Sequence, residues 1–248
     1  MDRTAYQKFC TLDQYHFWRV SKRRLVLDLI EKFRPRPESL RILDIGGACS
    51  MISQEMRRFG EVTVIESDQE ILELAKDKFQ SDIRQGSLPN HLPVDGPFDL
   101  VTLLDVLEHV AEDEESLQAI WKLLRPGGVL ICTVPALPWL WSDHDVTLHH
   151  KRRYVSRDLE KKLKQAGFKI MRLSYYTSML FPLLAAERLW SRIMPRKNRG
   201  YNVSLPAPWV NSMLGGIMSI ERAALLHFNL PVGSALFAVG QRPAAGNF

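Results

Sequence analysis

The sequence predicts an α/β fold in which a mostly parallel sheet carries helices on both faces. Between residues 40 and 135, short apolar runs alternate with amphipathic runs of helical period. Such alternation indicates βαβ units, whose crossover helices cover a parallel sheet. Of the 248 residues, 46% are apolar, which suffices for the core of one domain. Ligands of such sheets bind beyond the carboxyl ends of the strands, so we expect the functional residues there.

Each predicted element has a local pattern behind it. Residues 1–33 are predicted to be helical because Leu25, Leu29 and Phe33 recur four apart, and the prolines at 35 and 37 end this helix. The predicted strands are 41–45, 61–66, a short third one ending near 84–88, 98–104, 129–134, 169–176 and a last, antiparallel one at 235–239 beside the sixth. The predicted helices between them are 50–59, 69–79, 116–124, 156–166 with Ser156 as N-cap, 178–194 and 209–228, with a loop at 195–208.

We predict a single domain over residues 1–248 with four parts. These are an N-terminal helical cap or lid (1–37), a cofactor-binding core (38–176), a helical insertion (177–230), and the last strand with a tail (231–248). The insertion is either a roof over an acceptor pocket or a layer that closes the core or forms a dimer contact. Three widely spaced cysteines, and the lack of a signal peptide or an apolar run of about 18 residues, predict a cytoplasmic protein, with membrane association as an alternative.

The stretch from Arg41 to Ser50 is typical of a strand, a tight turn and the start of a helix. Its apolar residues lead into Asp44, and two glycines and small side chains follow, which let a ligand approach the main chain closely. The second apolar run ends about twenty residues later in Glu66, where a carboxylate can bind both hydroxyls of a ribose. These two features together predict a nucleoside-containing cofactor. The G-x-G-x-x-G pattern of dinucleotide folds is absent, because its last two positions hold Ala48 and Met51.

Three motifs resemble those of the class I S-adenosylmethionine-dependent methyltransferases. Asp44 and Gly46 match the first motif, D-x-G-x-G-x-G, while Ala48 and Ser50 replace its later glycines. Residues 98–110 are similar to the fourth strand and the motif that follows it, and residues 123–130 are similar to the next turn and fifth strand. The resemblance covers roughly residues 40–176. It implies a Rossmann-like fold with a seven-stranded, mostly parallel sheet and an antiparallel last strand, in addition to the helical cap and insertions.

The resemblance also implies a cofactor, S-adenosyl-L-methionine, with S-adenosyl-L-homocysteine as the product. The family often has an acidic residue for adenine where this chain has Ser87, and Asp105 would contact the methionine part. Glu108 and His109 could have a structural role, as a helix-start carboxylate and a side chain packed against the loop, and this role is favoured for Glu108. The predicted cofactor-binding residues are Asp44, Gly46, Gly47, Ala48, Glu66, Ser67, Ser87, Leu88, Asp105 and Val106.

Residues 135–154 carry the densest polar chemistry and follow the fifth strand, where the transferable methyl group would lie. Asp145, His149 and His150 are the predicted catalytic residues, because His titrates near neutral pH and a carboxylate orients it. The spacing of the His and Asp residues fits no zinc pattern, so no metal is predicted. Arg152 and Arg153 either clamp an anionic substrate or pair with helix carboxylates, and the resembled subset has a similar His-Lys-Arg-Arg-Tyr run. The predicted substrate-binding residues are Trp18, Trp141, Arg152, Arg153 and Tyr154.

The function that the sequence predicts is methyl transfer from S-adenosylmethionine to a small-molecule or lipid- or glycan-linked acceptor, with the choice of O-, C- or N-methylation open. The alternative is a non-catalytic protein that keeps the fold as a binding or partner subunit. The net charge of +5 comes from basic clusters scattered among carboxylates, which argues against nucleic acid as a partner. The same clusters and the apolar C-terminal region are compatible with peripheral membrane contact. We expect a monomer or a homodimer.

Overall fold

The computed structural model describes residues 10–35, 38–48, 50–76, 82–193, without the side chain at 192, and 204–244. Several sequence predictions therefore fall partly outside the described residues. These are the helix over 1–9, the break at 36–37, the helix end at 77–79, the loop over 195–203 and the tail at 245–248.

Seven strands among the described residues form one sheet. They are β1 (Leu40–Ile45), β2 (Gly60–Glu66), β3 (Asp82–Gln85), β4 (Phe98–Leu104), β5 (Leu124–Pro135), β6 (Lys169–Tyr176) and β7 (Ala235–Gln241). Their order across the sheet is β3-β2-β1-β4-β5-β7-β6. Strands β1 to β5 pair in parallel, while β7 lies antiparallel between β5 and β6. The predicted Rossmann-like architecture with an antiparallel last strand beside the sixth is confirmed.

Eight α-helices begin and end within the described residues. They are α1 (Phe17–Phe33), α2 (Met51–Met56), α3 (Gln69–Lys76), α4 (Asp113–Leu123), α5 (Asp143–Thr147), α6 (Ser156–Gln165), α7 (Phe181–Ile193) and α8 (Pro208–Leu225). Residues 10–15 are also helical. His16 interrupts the predicted N-terminal helix, because it is the N-cap of α1 and its ring accepts a hydrogen bond from the Trp18 backbone. Ser156 is the first residue of α6 rather than its N-cap, a position held by Val155.

The core has one apolar cluster on each face of the sheet. Alternate strand residues divide between them, as the two-residue period of a strand requires. The first cluster contains Ile42 and Leu100 and is covered by α1, α2 and α3. The second contains Leu43 and Leu103 and is covered by α4 and α6. The helices therefore lie on both faces, and both clusters hold the carboxyl ends of β1, β2, β4 and β5 together.

The C-terminal helices differ in how they are held. Helix α8 is joined to the start of α1, where the side chain of Asn211 accepts from the Phe17 backbone N–H at 2.9 Å and donates to the Tyr15 carbonyl at 2.9 Å. Helix α7, in contrast, has no buried residue among those described. No helix in the described part of the chain is both long enough and apolar enough to cross a membrane.

Candidate active site

A cavity of about 250 Å³ opens at the carboxyl ends of the parallel strands. We call it the strand-end cavity. Five of the predicted cofactor-binding residues line it, namely Gly46, Ser67, Ser87, Leu88 and Val106. His109, which is not among the predicted site residues, also lines it. The other predicted residues, Asp44, Gly47, Ala48, Glu66 and Asp105, are not part of its lining but adjoin lining residues in the chain or the loop.

The loop after β1 has a shape that only glycine fits. Gly46 has φ = 79°, and a Cβ there would come within 2.5 Å of the Val106 side chain. A Cβ on Gly47 would lie 1.9 Å from the Asp44 carboxylate. The backbone N–H of Gly46 donates to the Ile65 carbonyl at 2.7 Å, which ties the loop to β2. Both glycines are therefore needed for the loop to pack against Val106 and over the Asp44 carboxylate.

Asp44 supports this loop through buried hydrogen bonds. Its carboxylate is almost fully buried and accepts hydrogen bonds from Thr102 Oγ1 at 2.6 Å and from Ser53 Oγ at 2.5 Å. Burial raises the pKa of Asp44 to about 6, because it outweighs these two hydrogen bonds. Both carboxylate oxygens are thus engaged by hydroxyls of the protein. The direct cofactor contact predicted for Asp44 stays a prediction.

Glu66 is fixed at the end of β2, next to the cavity-lining Ser67. Its carboxylate is 7% exposed, and Oε1 accepts from the backbone N–H groups of Ser67 at 2.8 Å and Asp68 at 3.1 Å. Burial raises the pKa of Glu66, although these two hydrogen bonds oppose the shift. The carboxylate is therefore held in one orientation beside the cavity, as a ribose-binding role requires.

Asp105 lies just after β4 in a strained backbone conformation, with φ = 56°. Its Oδ1 accepts from Thr133 Oγ1 at 2.7 Å, and its Oδ2 pairs with Lys22 Nζ at 2.6 Å. Burial alone would raise the pKa of Asp105, but Lys22 and the hydrogen bonds outweigh burial and lower it. Asp105 is therefore an ionised carboxylate that α1 reaches directly.

Lys22 is a site residue that the sequence reasoning missed, because it read only as part of a basic run. Its ammonium group also lies 5.4 Å from the ring centre of Trp18, one helical turn earlier. The indole N–H of Trp18 donates to Thr177 Oγ1 at 3.1 Å. The start of α1 thus contacts both the end of β4 and the turn after β6, and the lid role predicted for this part of the chain stays a prediction.

Asp145 and His150 form a buried hydrogen-bonded pair. His150 Nδ1 lies 2.9 Å from Asp145 Oδ1, and Arg153 binds the same carboxylate through Nε at 2.8 Å and Nη2 at 3.0 Å. Burial would raise the pKa of Asp145, but the hydrogen bonds from His150 and Arg153 outweigh it and lower the pKa. Asp145 is therefore ionised and orients the His150 ring. His149 is exposed, so only one of the two adjacent His residues turns inward.

Glu108 and His109 lie against His150, on the short turn Leu107–His109 that follows Asp105. Glu108 is fully buried, and neither of its oxygens has a hydrogen-bond partner among the described residues. Burial, with a smaller contribution from the charge of Asp105, raises the pKa of Glu108 well above its usual range. Glu108 Oε1 is 4.0 Å from His150 Nε2, and the His109 and His150 rings meet edge to face at 4.8 Å. Their position within the motif that follows β4 is the sequence signal for these two residues.

The arginines and Tyr154 have partners inside the protein. Arg152 Nη1 and Tyr154 Oη both lie 2.9 Å from Asp113 Oδ2 at the start of α4, and Arg153 binds Asp145 on α5. Burial raises the pKa of Tyr154 above its usual value. These contacts correspond to the second alternative, pairing with helix carboxylates. Trp141 is 37% exposed. The substrate contacts predicted for these residues and for Trp18 stay predictions.

Comparisons with known proteins agree with the fold and motifs. The model of a family described as "Methyltransferase domain" matches residues 17–173. A ubiquinone biosynthesis O-methyltransferase of Caulobacter sp. (strain K31) is 38% identical over 101 residues, which cover 38% of this chain and 40% of that relative. One of Xanthomonas axonopodis pv. citri (strain 306) is 34% identical over 180 residues, which cover 64% of this chain and 74% of the relative. The chain thus spans about two fifths of the length of the first relative.

A solved structure shares the fold over most of the chain. It is an S-adenosylmethionine-dependent methyltransferase from Clostridium acetobutylicum, with a TM-score of 0.58 and 12% sequence identity over 90% of this chain and 92% of that one. At this level of identity the likeness shows the fold alone.

Proposed function

The chain belongs to the class I S-adenosylmethionine-dependent methyltransferases, and from this premise we propose that it transfers the cofactor's methyl group to a small-molecule acceptor. One observation carries the proposal. The glycine loop, Ser67, Ser87 and Val106 surround one cavity at the carboxyl ends of the strands. Gly46 is exposed and lines the cavity without a side chain, so a ligand can approach the main chain of the loop closely.

The residues around the cavity fit the parts of the cofactor. We expect Glu66 to bind the ribose hydroxyls, because its carboxylate is held beside Ser67. Ser87 and Leu88 offer a hydroxyl and an apolar wall for adenine. Asp105 and Lys22 supply one charge of each sign, which matches the ammonium and carboxylate groups of the methionine part. The bound cofactor supplies an electrophilic methyl group.

For the acceptor we propose a hydroxyl-bearing small molecule. The observation that favours oxygen is the His150–Asp145 pair, since a hydroxyl has to lose its proton and an oriented imidazole assists that step. Relatives named as O-methyltransferases support the same choice. Asp145 orients the ring and is not itself the base, because Arg153, His150 and the Ser142 backbone occupy its oxygens. Burial of this pair also keeps bulk water from the reaction.

A second candidate function is methyl transfer to an apolar acceptor at the surface of a lipid membrane. Leu183 and Ile193 on α7 and Trp209 on α8 are 70%, 74% and 71% exposed. Apolar side chains at this exposure favour an apolar acceptor or the surface of a lipid membrane. Sedimentation with anionic phospholipid vesicles tests the membrane contact. Binding that Leu183→Glu abolishes supports it, and a protein that stays in the supernatant contradicts it.

The test of the proposed function is a mass-spectrometric screen. Purified protein is incubated with cofactor carrying a deuterated methyl group and with pools of hydroxylated, carboxylated and amine-bearing small molecules. We expect one hydroxylated pool to yield a labelled product together with S-adenosylhomocysteine, and His150→Ala to lose most of both signals. Cofactor binding with no S-adenosylhomocysteine formed in any pool would contradict the proposal and favour the partner-subunit alternative.

A further inference from the structure

Three potential metal ligands converge beside the strand-end cavity. They are the carboxylate of Glu108, the imidazole of His109 and the imidazole of His150, whose ligand atoms all lie within 4.8 Å of one another. Glu108 and His109 come from the turn after β4, whereas His150 comes from the loop between α5 and α6. The three groups are therefore assembled by the tertiary fold, and no spacing in the sequence reveals them.

Glu108 provides an independent sign that the cluster is built for a ligand. A buried carboxylate normally has hydrogen-bond partners, because leaving it without them is costly. Both oxygens of Glu108 are fully buried, and neither has a partner within the described residues. Oε1 lies 4.0 Å from His150 Nε2. A cation between them would satisfy the carboxylate that the protein leaves unpaired.

The surroundings of His150 match those of a metal-binding imidazole. Metal-bound His usually donates its second ring nitrogen to a carboxylate, which fixes the ring. His150 Nδ1 lies 2.9 Å from Asp145 Oδ1, so Nε2 is left for the cluster. Asp145 is in turn held by Arg153 and by the Ser142 backbone. This outer support is present before any ion binds.

We propose that Glu108, His109 and His150 bind a divalent first-row transition-metal ion, with Zn²⁺ as the ion of first choice. Two imidazoles and one carboxylate suit such ions rather than Mg²⁺ or Ca²⁺, which prefer oxygen ligands. Three protein ligands leave a coordination position open toward the neighbouring cavity, as in catalytic zinc sites. The ligand atoms have to close to about 3.4 Å from one another to reach metal–ligand distances of about 2.0–2.2 Å. The side chain of His109 is exposed and has room to make this adjustment, whereas His150 is held by Asp145.

The site goes beyond the proposed function and also refines it. A bound divalent ion lowers the pKa of a ligated hydroxyl. The role of His150 in removing the acceptor's proton would then be exerted through the ion that it holds. Metal binding is measured without cofactor or acceptor. If no metal binds, the methyltransferase proposal is unaffected, and if no methyl transfer is found, the metal proposal is unaffected.

The experiment measures Zn²⁺ binding by the chelator-treated, tag-free chain. We expect one zinc per chain by elemental mass spectrometry after gel filtration, saturable binding in calorimetry, and visible absorption bands with Co²⁺ as the probe. Asp145→Asn should weaken binding by about 10–100-fold, as loss of an outer partner typically does. Glu108→Gln and His109→Ala should weaken it by more, because each removes a ligand.

Two control variants separate this site from adventitious binding. His227→Ala and Cys10→Ser remove potential zinc ligands elsewhere and should leave the affinity unchanged. If Glu108→Gln does not fold by circular dichroism, His109→Ala carries the test, because His109 lies at the edge of the cavity. Failure of the native chain to retain stoichiometric zinc would overturn the proposal. Retention unaffected by His109→Ala would do the same, since the ion would then be adventitious.

Discussion

Replacement of Glu66 separates the ribose contact from the structural role of this carboxylate. Glu66→Ala removes the acceptor of the Ser67 and Asp68 backbone N–H groups, whereas Glu66→Gln keeps an amide oxygen for them and loses only the charge. Charge-assisted hydrogen bonds contribute about 1.5–3 kcal/mol, so Glu66→Ala should lower cofactor affinity by about 10- to 150-fold. Glu66→Gln retains neutral hydrogen bonds and should lose only about 3- to 10-fold.

The same pair of variants predicts different stabilities. Two backbone hydrogen bonds at about 0.5–1.5 kcal/mol each are lost in Glu66→Ala, so its free energy of unfolding should fall by about 1–3 kcal/mol, while Glu66→Gln should stay near the native value. Isothermal titration with S-adenosylmethionine and urea denaturation provide the two measurements. Glu61→Ala, at an exposed position on the same strand, is the matched control. Unchanged cofactor affinity in Glu66→Ala would refute the placement of the ribose.

Three further predictions concern pH, catalysis and the C-terminal helices. Because burial raises the pKa of Asp44 from 3.8 to about 6, the folded state keeps a proton that the unfolded chain releases. The free energy of unfolding of the cofactor-free protein should therefore fall by about 3 kcal/mol as the pH rises from about 3 to about 7. Asp44→Asn should remove this fall in urea denaturation, and an identical pH profile for both proteins would disprove the assignment. His150→Ala should reduce turnover by about 10²–10⁴-fold and leave cofactor affinity nearly unchanged. Asp145→Asn should also reduce turnover. Near-normal turnover in both variants would contradict a catalytic role for this pair. Trp209→Ala should weaken acceptor binding more than cofactor binding, whereas a change in melting temperature or oligomeric state alone would show that α8 is only structural.

The sheet was predictable because its signals are local. Strands 98–104 and 169–176 have the predicted bounds. The first is a continuous apolar run that is buried, and such a run with its flanking turns identifies a strand without knowledge of its neighbours. The glycine loop was predictable for the same reason, because Asp44 and the two glycines lie within four residues. Ser156 was misplaced by one position, an error that helix ends commonly produce.

The remaining site residues depend on contacts between distant parts of the chain. Lys22 and Asp105 are 83 residues apart and meet only because α1 lies over the end of β4. The local sequence identifies Glu108 as a helix-start carboxylate. In the fold it is buried without a hydrogen-bond partner among the described residues, next to the loop that carries His150. The sequence offered Arg153 two kinds of partner and gave no means to choose between them, because the carboxylate that binds it becomes a neighbour through the fold of α5.

The measurement that tests the central claim most directly is calorimetric titration of the native chain with S-adenosylmethionine, S-adenosylhomocysteine and NAD under identical conditions. The glycine loop, the strand-end cavity and Glu66 predict saturable binding of the methyl donor and of its demethylated product at one site per chain, with no comparable binding of NAD. Tight binding of NAD together with no response to either S-adenosyl compound would contradict the account.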